Sequence, residues 1–108
     1  MTDTIYALSS GAGMAAIAVI RLSGPAAGGL LGDLVGQRPS PRQATLRIIR
    51  DPVTQEAIDL GLVLWFPGPG SSTGEDLCEF HVHGSQAVIE GLFALFNRYP
   101  GVRPAERG

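Results

Sequence analysis

The chain has 108 residues, 44% of them hydrophobic, with a formal net charge of −2. That is enough apolar material for one buried core, and the slight acid excess gives no electrostatic reason for this segment to bind nucleic acid directly. All eight basic residues are Arg and there is one Cys, which excludes a Walker A lysine and an internal disulfide and suits a reducing compartment.

The N-terminal Met1-Thr2-Asp3-Thr4 lacks the basic and then apolar pattern of a secretory signal. No apolar run approaches the roughly 20 residues that span a bilayer. A soluble cytoplasmic domain, residues 1–108, is the expectation. Thr4–Leu8 is short and β-prone, and the Ser9-Ser10-Gly11-Ala12-Gly13 turn interrupts it. Ala16–Leu22 is rich in β-branched residues and predicts a buried strand with Arg21 near its exit, where a guanidinium needs a partner. Ser23-Gly24-Pro25 opens a helix carried by Ala26, Leu30, Leu31, Leu34 and Val35 and stopped at Gly36. Its internal Gly28, Gly29 and Gly32 each cost about 1 kcal/mol relative to Ala.

After a Pro- and Arg-containing loop, Ala44–Arg50 alternates as a half-exposed strand, and Asp51-Pro52 opens a turn. Ile58–Phe66 is the most hydrophobic segment and predicts an interior strand forming a hairpin with the preceding one. Pro67–Gly74 has loop composition. Leu77–His83 alternates again, with Leu77, Glu79, His81 and His83 on one face and Cys78, Phe80 and Val82 on the other. Ala87, Ile89, Leu92, Phe93, Leu95 and Phe96 follow at helical spacing, and Tyr99-Pro100-Gly101 ends that helix. Val102–Gly108 reads as the beginning of an element left incomplete. About five strands and two helices, not strictly alternating, predict an α+β fold with helices packed on a mixed sheet.

Several clusters compete as the functional site. Gly11–Ala16 matches the letters of a dinucleotide-binding fingerprint, with Asp33 about 20 residues on, but that motif must open a helix. Here Ile17-Ala18-Val19-Ile20 prefers strand, so the stretch reads as a turn. Glu79, His81 and His83 supply three ligand types for Zn²⁺ or Fe²⁺, or else a polar strand face bonded to its surroundings. Cys78 falls on the apolar face and reads as core. Adjacent Glu75 and Asp76 face opposite ways and do not form a carboxylate dyad, while Arg42, Arg47 and Arg50 form a modest basic patch. Arg21 and Glu79 form a donor fork and a two-oxygen acceptor, suited to gripping a flat heterocycle or simply to an inter-strand ion pair.

Asp3-Thr4-Ile5, Ile17 through Pro25, Leu62-Val63-Leu64-Trp65-Phe66-Pro67-Gly68-Pro69, and Thr73-Gly74-Glu75-Asp76 through His83-Gly84 occur in an order that resembles the N-terminal domain of the MnmE/TrmE family of tRNA wobble-uridine modification GTPases. The resemblance covers essentially the whole chain. It implies a domain similar to the folate-binding part of the glycine-cleavage aminomethyltransferase. It also implies homodimerisation and binding of a 5-formyltetrahydrofolate-type one-carbon donor. The family's folate-contacting Arg and Glu fall on Arg21 and Glu79. In the family a flavin-dependent partner of the MnmG/GidA type joins the reaction on tRNA, and GTP, Mg²⁺ and K⁺ bind outside these residues. Three departures stand out. Gly13-Met14-Ala15-Ala16 replaces a Pro-containing turn, Ser85 stands where the family has a second Gly after His83, and Ala105-Glu106-Arg107-Gly108 stands where the family continues past a Pro-Gly-Glu-Phe phrase with further folate contacts.

Overall fold

A computed structural model of the chain describes residues 3–9 and 16–106. Gly11–Ala15, which carry most of the fingerprint-like stretch and of the family's turn, lie outside the described residues. The strands are β1 (Thr4–Leu8), β2 (Ile17–Ser23), β3 (Thr45–Arg50), β4 (Ala57–Phe66), β5 (Leu77–His83) and β6 (Val102–Pro104), with helices α1 (Ala27–Val35) and α2 (Gln86–Phe96). They build one sheet in the order β3-β4-β5-β2-β1-β6. All neighbours pair antiparallel except β1 and β6, which run parallel, so the sheet is mixed.

The expected count of about five strands is corrected to six. Val102, Arg103 and Pro104 pair with Thr4, Ile5 and Tyr6 at the sheet edge. Three residues are too short to show alternation, and Pro104 argues against a strand except at an edge, which is where it lies. The fingerprint-like turn is followed by β2 and not by a helix, which removes the N-terminal amides that a pyrophosphate needs.

Both helices cover the same sheet face. Ile20, Leu22, Val63, Cys78, Phe80, Leu30, Leu31, Leu34, Leu92 and Phe96 meet there with 1% exposure or less. Tyr6, Phe93 and Phe96 stack around one end, with Phe80 5.7 Å from Phe96. Helix α1 forms despite Gly28, Gly29 and Gly32 because Leu30, Leu31 and Leu34 bury against the sheet, and packing outweighs propensity. Its start lacks a side-chain cap of its own. Instead the Ala26 N–H donates to Thr4 Oγ1 at 2.8 Å, so β1 supplies the cap. Gly36, at φ 90°, ends it as expected. At α2 the departure from the family is useful, for Ser85 is the N-cap and its oxygen accepts from the Val88 N–H.

Among the described residues, no element covers the reverse face of the sheet. Ile17, Leu46, Ile48, Leu60 and Leu62 are all 40–59% exposed on it.

Candidate functional site

The alternation of β5 sends Cys78, Phe80 and Val82 into the core and leaves Glu79, His81 and His83 on the open face. Antiparallel pairing sets Arg21 of β2 directly opposite Glu79. Arg21 Nε and Nη2 both donate to Glu79 Oε2, at 2.9 and 2.7 Å. His81, two residues along, places Nε2 2.9 Å from Glu79 Oε1. An ionised carboxylate only accepts, so His81 Nε2 carries the hydrogen.

Glu79 retains 13% side-chain exposure against 45% for Arg21. Burial pushes its carboxyl upward, but the hydrogen bonds from His81 and Arg21 and their charges outweigh this and hold it below the usual range. Three of the roughly four acceptor positions of the carboxylate are occupied. A fourth stays open at Oε1, and a ligand taking two would displace one Arg21 contact.

The pair forms one wall of a cleft of about 360 Å³ lined by Arg21, Arg42, Phe66, Ser71, Leu77 and Glu79. Its rim is the loop between β4 and β5. Asp76 Oδ1 accepts from the Gly68 N–H at 2.9 Å, and Ser23 Oγ lies 2.8 Å from Thr73 Oγ1 and donates to Glu75 Oε2 at 2.9 Å. Ser71 Oγ donates to the Glu75 carbonyl. Glu75 and Asp76 therefore do not act as a dyad. Each pins a different part of the loop. Sequence reasoning missed Ser23 and Thr73, which lie 50 residues apart, and put Arg42 in a surface basic patch, whereas it lines the cleft and meets the Gly70 carbonyl 28 residues away.

His83 does not join Glu79 and His81 as a ligand set. Its backbone N–H and ring Nδ1 both lie 2.8 Å from the Asp59 carboxylate on β4. Among the described residues no group of three or more His, Cys, Asp or Glu is arranged to hold a metal ion. Cys78 is fully buried, which pushes its thiol well above the ordinary value, and it serves as core. Arg47 and Arg50 sit three residues apart on β3, so they leave opposite faces of the strand and form no single patch.

The family described as "GTP-binding protein TrmE N-terminus" matches residues 4–108. The chain belongs to that family. Among curated relatives, it is 58% identical to the "tRNA modification GTPase MnmE" of Beijerinckia indica, over 98% of this chain and 24% of the relative. It is 54% and 56% identical to the mitochondrial "5-taurinomethyluridine-[tRNA] synthase subunit GTPB3" of Danio rerio and Mus musculus, over 98% and 99% of this chain and 21% and 22% of those proteins. The chain thus spans less than a quarter of the length of each of these relatives. Among the described residues no helix is long and apolar enough to cross a membrane.

Proposed function

We propose that the chain is the folate-binding and dimerising N-terminal domain of a tRNA modification GTPase, as the resemblance implied. The observation that carries the folate reading is the Arg21–Glu79 pair at the wall of a cleft, with His81 bonded to Glu79 from beside it. The donor set fits a reduced folate. Glu79 is ionised and acceptor-only, suited to the amino and N–H edge of a pterin, and Arg21 is a donor fork able to turn from Glu79 to a ring or formyl oxygen. Phe66 and Leu77 give the flat ring an apolar floor. Bound folate supplies a one-carbon unit. The residues here bind and orient it, and none is assigned as an acid or base.

The dimerisation reading draws on the uncovered sheet face. Ile17, Leu46, Ile48, Leu60 and Leu62 lie together there, and contiguous exposed apolar residues mark interaction surfaces. The activity on wobble uridine, the flavin-dependent partner, the use of GTP and a cytoplasmic location belong to this same proposal, resting on family membership. So does the likeness to the aminomethyltransferase folate domain.

Calorimetric titration of 5-formyltetrahydrofolate into the chain tests the proposal. Saturable binding by the wild type that Glu79→Ala abolishes is the expected result. A folded wild type that takes up no folate overturns the folate reading.

A further inference from the structure

Arg42 is the cation of the cleft that has no carboxylate. Arg21 is neutralised by Glu79, whereas among the described residues the Arg42 guanidinium touches only the Gly70 carbonyl, at a long 3.4 Å. Its backbone is held in place. Arg42 has φ 63°, a left-handed conformation uncommon for a residue with a side chain, and its N–H donates to the Trp65 carbonyl at 2.9 Å. The loop leading to β3 is thereby fastened to the end of β4, and the side chain is delivered into the cleft beside Arg21, Phe66 and Glu79. An exposed Arg kept in a fixed, sterically restricted backbone position and left without an anion is poised to receive one.

We propose that Arg42 anchors a carboxylate on the arm of the ligand whose ring lies against Glu79, so that the cleft recognises a ring and an anionic arm together. The assignment rests on the folate reading above. Trp65, to which Arg42 is tied, pairs with Cys78, the residue before Glu79. Arg42 therefore stands about two strand spacings, roughly 10 Å, from the β5 backbone at Glu79. Both side chains line the same cleft, so a ligand whose ring lies at Glu79 can reach Arg42 through an arm, as a reduced folate does through its glutamate arm. The remaining polar lining, Ser71 and Ser72, is neutral and leaves the charge of Arg42 uncompensated.

The test compares two ligands on the chain itself, by calorimetry. One is 5-formyltetrahydrofolate, and the other is the corresponding 5-formyltetrahydropterin without the aminobenzoyl-glutamate arm. Arg42→Gln is expected to weaken the folate about tenfold or more, the scale of one charge-assisted hydrogen bond, and to leave the pterin within about twofold. Arg42→Lys restores most of the folate affinity, and the deficit of Arg42→Gln shrinks as salt is raised. Equal weakening of both ligands, or of neither, overturns the Arg42 assignment while the folate reading stands. A wild type that binds neither ligand overturns the folate reading and the assignment with it.

Discussion

Arg21 and Glu79 face each other across β2 and β5, and both donors of the guanidinium converge on a single carboxylate oxygen, leaving the other to His81. The cluster has a pH signature. The Glu79 carboxyl is held below its ordinary 4.5, so its ionised form favours the folded state. That contribution is complete above the ordinary value and is lost as pH falls through the lower folded value. Melting temperature measured against pH should therefore drop less steeply on the acid side in Glu79→Gln than in the wild type. Parallel acid limbs would contradict this.

Gly61 sits on the core side of β4 where nothing larger fits. A Cβ there would lie 2.4 Å from the His81 carbonyl oxygen of β5, a backbone atom that cannot swing aside. Gly61→Ala should destabilise by about 1–3 kcal/mol or more, because an overpacked site forces the backbone to shift. Urea unfolding measures the loss. The same displacement moves His81, so the variant should also lose affinity for the cleft ligand.

Asp59 and His83 form a second cross-strand pair, separate from the cleft. The Asp59 side chain is 11% exposed and accepts from both the backbone and the ring of His83. Burial raises its carboxyl, but the His83 bonds outweigh that and lower it overall. Asp59→Ala leaves the His83 N–H without its acceptor and should cost about 1–2 kcal/mol. Because His83 is not part of the cluster at Glu79, ligand affinity should be unchanged, which calorimetry checks.

On the uncovered face, Leu46 and Leu60 belong to the neighbouring strands β3 and β4 and are 59% and 51% exposed. Replacing both with Glu puts charge where the proposed dimer buries apolar area and should leave the fold intact. Sedimentation equilibrium should show a wild-type dimer and a monomeric Leu46→Glu, Leu60→Glu variant. A wild type that is monomeric at tens of micromolar contradicts dimerisation through this face.

Much of this architecture was legible in local pattern. The alternation of Leu77–His83 placed Glu79 and His81 on one side and the fully buried Cys78 and Phe80 on the other, because a strand has a period of two. The leucines of α1 likewise foretold a helix that its glycines argue against. What the sequence concealed was long-range. Strand β6 exists only because β1 offers it an edge, and His83 left the apparent ligand set because Asp59, 24 residues earlier, reaches it. Arg42 looked like one of several surface arginines. Only its bond to Trp65, 23 positions away in the chain, brings it to the cleft.

The central claim is that the cleft at Arg21 and Glu79 is a folate site. Backbone amide NMR of the isotope-labelled chain, recorded while 5-formyltetrahydrofolate is added to saturation, tests it most directly. The account predicts shifts concentrated at Arg21, Glu79, His81 and the Ser71–Ser72 segment of the rim. An unchanged spectrum, or shifts centred on α2 or on the Asp51–Glu56 turn, would contradict it.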